Sequence, residues 1–256
     1  MCPALILFKK ESERISMSQE TKTKFEEIYV SGEYLAHHPT WHIETSPAKA
    51  ADILKLLNRA KLAPETICEV GCGVGGILAA LQKLMGPECA FSGYDISPQA
   101  VEIAREKENE KLHFQVADLT EEDVSFDLIL MMDMIEHVEN CFSFLRNLKP
   151  KSQYKIIQFG LDLTVESLLN PRALLGFRST LGHVGHVHYF TKNIALAMLE
   201  DLGYEVIDYF YTPIYVNPAE PFTKKFMQRL RVLFYSVRKD LAVRVVGGYK
   251  LIVLAK

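Results

Sequence analysis

The chain has no run of about 18 apolar residues, the length a helix needs to cross a hydrocarbon core, so no membrane-spanning helix is predicted among its 256 residues. Its early apolar stretch, Ala4 to Phe8, is followed by Lys9 and Lys10 rather than preceded by basic residues, the reverse of a secretion leader. It also lacks a Cys-x-x-Cys pair. Cys2, Cys68, Cys72, Cys89 and Cys141 show no paired spacing suited to a disulfide framework, so a reduced, cytoplasmic setting is expected. There is no surplus of basic charge: the net charge is −3 and the pI about 6.3, which gives no overall attraction for nucleic acid. No internal repeat is visible. What remains, 48% hydrophobic and 24% charged residues, is the composition of a globular chain long enough for one well-buried core, and one domain is the simplest reading.

The most informative stretch is Glu69-Val70-Gly71-Cys72-Gly73-Val74-Gly75-Gly76. It follows a β-like run, Thr66 to Val70, and precedes Ile77, Leu78, Leu81, Leu84 and Met85 at helical spacing. Glycines at a strand-to-helix turn can take positive φ and let a ligand lie against the backbone, where free amides and the helix dipole favour electron-rich groups. The letters also satisfy Gly-x-Gly-x-x-Gly of dinucleotide sites, so the turn alone does not choose between cofactors.

The following strands each end in an acid. Phe91 to Tyr94 runs into Asp95-Ile96, before Ser97-Pro98 starts a helix with an N-cap and a first-turn proline. An acid at that tip can accept both hydroxyls of a ribose. His113 to Ala117 ends in Asp118-Leu119, a carboxylate beside an apolar side chain suited to an adenine ring, and Phe126 to Met132 ends in Asp133. A helix with Val138, Phe142, Leu145 and Leu148 on one side follows and stops at Lys149-Pro150; Lys155 to Phe159 reads as a fifth strand, Thr191 caps a later helix, and Tyr204 to Tyr211 and Tyr249 to Leu254 read as the sixth and seventh strands.

Taken in order, Glu69-Val-Gly-Cys-Gly-Val-Gly, Asp95-Ile-Ser-Pro, Ala117-Asp118-Leu119 and Met134-Ile-Glu-His-Val138 resemble the class I S-adenosylmethionine-dependent methyltransferases. The likeness runs from about Ser46 to Val216 and resumes in Gly248 to Ala255. It is nearest the small-molecule branch that includes ubiquinone-biosynthesis O-methyltransferases and bacterial sugar and natural-product methyltransferases. The resemblance implies an α/β, Rossmann-like sheet of seven strands, mostly parallel with an antiparallel edge strand and helices on both faces. It implies S-adenosylmethionine as cofactor, with Glu69, Gly71, Cys72, Gly73 and Gly75 in the cradle. Asp95 and Ile96 would then meet the ribose, Asp118 and Leu119 the adenine, and Asp133 the methionyl end or the acceptor side.

Residues 1–24 are polar and aperiodic and are expected to be a mobile tail, with 25–256 forming the methyltransferase domain. Within it, the aromatic and histidine-rich 25–45 is read as a lid and 161–189 as a substrate-side insertion. Residues 217–247 are read as an amphipathic helical insertion. There Phe222, Phe226, Leu230, Leu233, Phe234, Val237 and Leu241 lie opposite Lys224, Lys225, Arg231, Arg238 and Lys239, and this 219–246 helix could rest on an anionic membrane or meet a lipid-linked substrate.

A sulfonium is already a good methyl donor, so the protein mainly positions the acceptor and, for a hydroxyl, supplies a base. The expected acceptor is a small molecule such as a sugar or phenol. His137, past the fourth strand, and His186 and His188, close to His183 in the insertion, are the candidate bases. A divalent metal held by Asp133, Glu136, His137 and His188 is the lesser alternative. It resembles the ion site of ubiquinone-pathway and small-RNA 2′-O-methyltransferases, although those families carry Glu where this chain has Asp133. Two further alternatives are a non-catalytic cofactor-binding subunit serving a partner enzyme, and an NAD-dependent dehydrogenase using Tyr235-x-x-x-Lys239, a dyad placed here after the sixth strand rather than mid-chain.

Overall fold

The computed structural model describes residues 24–38, 40–170, 172, 174, 176, 185–214 and 232–256. The segment read as a tail therefore lies almost wholly outside the described residues, as do His183 and the first half of the amphipathic insertion.

Seven strands form one sheet in the order β3-β2-β1-β4-β5-β7-β6. They are β1 Thr66–Val70, β2 Ala90–Asp95, β3 Leu112–Val116, β4 Phe126–Met131, β5 Ser152–Gly160, β6 Val206–Pro213 and β7 Tyr249–Ala255. β1 to β5 pair in parallel, and β7 runs antiparallel to both β5 and β6. The chain leaves β1 toward β2 and β3 on one side and returns to β4 on the other, so a crevice opens above the carboxyl ends of β1 and β4, where ligands bind in open α/β sheets.

Helices cover both faces because the central strands are apolar on both sides. One face packs against α3 Ser46–Ala60, α4 Gly76–Leu84 and α5 Pro98–Arg105 through Ile53, Leu57, Leu78, Leu81, Val101 and Ala104. The other carries α6 Cys141–Leu148 and α8 Lys192–Asp201, with Leu145, Leu148, Ala195 and Met198 buried against β4, β5 and β7. The capping signals hold: Ser97 accepts from the Ala100 amide and Thr191 from the Ile194 amide. Two short helices, α1 Lys24–Val30 and α2 Glu33–His37, precede the domain and lead through Trp41 to α3.

Two expectations change. Val138 is not on the helix after β4, since α6 starts at Cys141 under an Asn140 cap; Val138 lines the crevice instead. In the described part of the insertion the helix is also not continuous. Residues 232–237 are helical, Arg238 breaks the chain at φ −145° and ψ 90°, and α9 Lys239–Val246 packs Ala242 and Val243 inward near α7 Val165–Leu169. Leu233 and Val237 face outward, at 64% and 74% exposed.

Candidate functional site

The glycine turn is fastened by main-chain bonds. Past the end of β1, the Gly71 and Cys72 amides both donate to the Tyr94 carbonyl at the end of β2, at 2.8 and 3.1 Å. Gly73, at φ 51°, donates its N–H to Asp95 Oδ2 at 2.8 Å, while the Ser97 amide donates to Oδ1 at 2.8 Å. Asp95 is thus aimed by the backbone on both oxygens and still has lone pairs for ligand hydroxyls. Burial pushes its pKa up against the opposing pull of the Ser97, Gly73 and Ile96 amides. Space as well as torsion requires glycine at position 73, where a Cβ would stand 2.2 Å from Trp41 Nε1. At the tip of β3, Asp118 Oδ1 accepts from both the amide and the hydroxyl of Thr120, so this carboxylate is also pre-oriented.

Gly71, Asp95, Ile96, Asp118, Leu119, Asp133 and His137 line one crevice, together with Tyr29, Tyr34 and Trp41 from the N-terminal segment. An adjoining recess is lined by Glu69, Gly71, Cys72 and Asp133, with Ser46 and Lys49 of α3. Glu69 is 2% exposed, its Oε2 has no hydrogen-bond partner, and burial pushes its pKa up to about 8 despite Lys49 nearby. A buried acid with an unpartnered oxygen in a recess adjoining the crevice can accept from a ligand cation or ammonium.

The second half of the site is built from side chains distant in sequence. Asp133 adopts φ 54° and is gripped by Lys49 at 2.7 Å and by Lys250 at the start of β7. Burial would raise its pKa, but these two ammoniums more than offset that and hold it well below the ordinary carboxylate range. Glu136 is buried with Oε2 unpartnered, and desolvation lifts it to about 7. His137 Nδ1 lies 3.1 Å from the Tyr29 hydroxyl, and its ring meets that of His186 edge-on at 4.8 Å between centroids. His186 Nδ1 bonds Asp162 Oδ2 at 2.6 Å, which raises its pKa against the effect of burial.

Two expected site residues, and the expected metal set, sit otherwise than expected. Gly75 lines neither part of the crevice; it caps α4 at φ 73° and leaves room for Phe114, whose Cζ would be 2.4 Å from a Cβ. His188 donates Nε2–H to the Val138 and Glu139 carbonyls at 3.0 and 3.1 Å, so this nitrogen ties the insertion to the loop after β4, and His188 is not among the residues lining the crevice. The Asp133, Glu136, His137, His188 set does not converge: two ammoniums occupy Asp133 and two carbonyls occupy His188 Nε2. Among the described residues no group of three or more His, Cys, Asp or Glu is spaced to hold a metal. Tyr235 and Lys239 lie away from the glycine turn, where Tyr235 stacks on Tyr249 at 4.5 Å. Lys49, Lys250 and Asp162 carry no local sequence signal, because each acts through a partner on another element.

Residues 68–151 match the family model for a methyltransferase domain. Norajmaline N-methyltransferase of Rauvolfia serpentina is 34% identical over 93 residues, 33% of this chain and 31% of the relative. A probable tocopherol O-methyltransferase of Oryza sativa subsp. japonica is 32% identical over 97 residues, 35% of this chain and 26% of the relative. The match thus spans about a third or less of these curated relatives. Magnesium protoporphyrin IX methyltransferase from Synechocystis PCC 6803, solved with S-adenosylhomocysteine bound, superposes with a TM-score of 0.54 at 17% identity, over 84% of this chain and 82% of that one. The fold is that of the class I S-adenosylmethionine-dependent methyltransferases.

Proposed function

We propose that this chain transfers a methyl group from S-adenosylmethionine to a small molecule, with oxygen as the first-choice acceptor atom. The observation that carries the reading is the orientation of Asp95 by the Gly73 and Ser97 amides, in the same crevice as Asp118-Leu119 and beside the unpartnered Glu69. Those three positions answer the three parts of the donor: vicinal hydroxyls to Asp95, an amino-purine to Asp118 and Leu119, and a methionyl ammonium to Glu69, with Lys49 beside it for the carboxylate. The residues present fit the group. When bound, it supplies an electrophilic methyl on a positively charged sulfur.

The chain's own contribution is to bind, orient and exclude water. Asp95 and the glycine turn fix the nucleoside. Tyr29, Tyr34 and Trp41 close the crevice from above, with Tyr29 and Tyr34 ring centroids 4.9 Å apart and Tyr34 and Trp41 4.7 Å apart, which supports the reading of 25–45 as a lid. Asp133, locked between Lys49 and Lys250, keeps the β4 tip rigid, so His137 is presented to the crevice. The reading of 161–189 as a substrate-side insertion is supported by the His186–Asp162 pair, whose histidine ring meets that of the crevice residue His137. The relatives are named for both N- and O-methylation; burial, with His186 beside it, lowers the His137 pKa to about 3, so its imidazole stands uncharged in the crevice with a lone pair able to accept a hydrogen bond or a proton. A cytoplasmic setting, supported by buried free thiols at Cys68, Cys72, Cys89 and Cys141, and contact with a lipid-linked acceptor through exposed Leu233 and Val237 belong to the same proposal.

Calorimetry with S-adenosylhomocysteine and with NAD tests it. Saturable binding of the first and none of the second is expected, and the reverse result would overturn the reading.

A further inference from the structure

We propose that Tyr29, from α1, takes the proton of the acceptor as it hands its own phenolic proton to His137 Nδ1, making the lid a catalytic element. This rests on the methyltransferase reading and deepens it. The crevice wall offers few places for a proton. Asp133 is neutralised by two ammoniums, and Glu26 and Glu139 are exposed at the rim. Tyr29 and His137 are different: among the described residues lining the crevice they form a side-chain hydrogen-bonded pair, 3.1 Å apart, that leads from the wall inward. The Tyr29 ring is held by Tyr34 and stands edge-on to His137 at 6.2 Å between centroids, so its oxygen has a defined direction.

Burial, His186 and Lys250 keep His137 uncharged, against the opposing pull of Asp133 and the Gly185 backbone, so a nitrogen lone pair can accept from Tyr29. Its own Nδ1 is covered by the Tyr29 hydroxyl, which is why a base at His137 works through the tyrosine. The step balances as follows. The acceptor heteroatom keeps the electron pair of its bond to hydrogen and forms a bond to the methyl carbon, while the carbon–sulfur bond breaks with its pair left on sulfur. The acceptor proton passes to Tyr29 Oη, the Tyr29 proton passes to His137, and the buried imidazolium, disfavoured by its surroundings, loses that proton to solvent when product leaves.

The test uses the full chain, donor carrying a tritiated methyl group, and a deproteinised cell extract as the source of acceptor. Tyr29→Phe and His137→Gln are each expected to slow label transfer by about 100-fold or more, as removal of a general acid–base group does. The double variant should be no slower than the slower single, and S-adenosylhomocysteine affinity should change less than about three-fold, because the residues act as a unit on the proton. Transfer by Tyr29→Phe near the wild-type rate, or multiplying losses in the double variant, would sink the proposal. A second readout needs no acceptor: in spectra of protein with isotope-labelled histidine, Tyr29→Phe should move the His137 Nδ1 resonance, and an unmoved resonance counts against the pair. If wild-type protein binds no S-adenosylhomocysteine, the methyltransferase reading itself fails, and the spectra still judge the Tyr29–His137 bond.

Discussion

The two halves of the crevice are held by different means. On the proposed cofactor side, at β1 to β3, the carboxylates are aimed by backbone amides: Asp95 by Gly73, 22 residues away, and by Ser97, and Asp118 by Thr120. On the proposed acceptor side the holding contacts join side chain to side chain. Asp133 and Lys250 are 117 residues apart, Tyr29 and His137 are 108 apart, and Asp162 and His186 are 24 apart. Main-chain anchoring tolerates neighbouring substitutions, since every residue brings an amide. A network of buried charges does not, because each member satisfies another. On the proposed reading, the donor half is therefore held by backbone and is insensitive to single side-chain changes, whereas the acceptor half depends on side chains that must change together if they change at all.

Cutting the side-chain network should give the largest effect. Lys250→Met leaves Asp133 with Lys49 alone and removes a positive neighbour from the buried Glu136. Removing one partner of a buried ion pair is expected to cost about 3 kcal/mol here, at the low end because Lys49 remains. Denaturant unfolding measures it, and a loss below about 1 kcal/mol would mean that Lys250 behaves as a surface charge. Asp95→Ala probes the other half. It should weaken S-adenosylhomocysteine binding by about 100-fold or more, the scale of losing charge-assisted bonds to hydroxyls. The fold should remain cooperative, with stability reduced by about 1–3 kcal/mol for the amides left unpaired. Retained affinity would break the ribose assignment, and the Tyr29–His137 histidine spectrum should be unchanged.

The same difference governs what could be read from the residues alone. Glu69 through Gly76, Asp95 and Asp118 announce themselves because turn, cap and strand-tip chemistry are local, and all seven strands and the Ser97 and Thr191 caps were expected within a few residues of where they lie. Spacing alone places Gly75 with the other glycines of the turn and does not show that its missing Cβ makes room for Phe114. His188 looked equivalent to His186 in sequence; only the fold shows one bonded to Asp162 and the other to two carbonyls. Lys49, an ordinary lysine on an amphipathic helix, and Lys250, the second residue of an apolar strand, become site residues through Asp133, a partner that no periodicity connects to them.

The finest test sits where the halves meet, at Glu69. Its folded pKa of about 8 exceeds the ordinary 4.5, so between those values the folded protein holds a proton that the unfolded chain has released. Stability contributed by this group is complete below about pH 4.5 and is lost as pH rises toward 8. Glu69→Gln keeps the shape and cannot ionise, so the gap in stability between variant and wild type should shift in the variant's favour by about 3 kcal/mol from pH 5 to pH 8. His137 slopes the other way, since its folded pKa is depressed, but it does so in both proteins and cancels in the comparison. Binding adds a sharper readout. A methionyl ammonium brought against Glu69 would favour the carboxylate, so wild-type protein should release a fraction of a proton on taking up S-adenosylhomocysteine at pH 7, and Glu69→Gln should release less. Calorimetry in buffers of different ionisation enthalpy measures that proton directly. Equal release by the two proteins would mean that the buried acid shapes the recess without meeting the ligand, and that the cofactor half, too, depends on the side chains of Lys49 and Asp133 for its charged end.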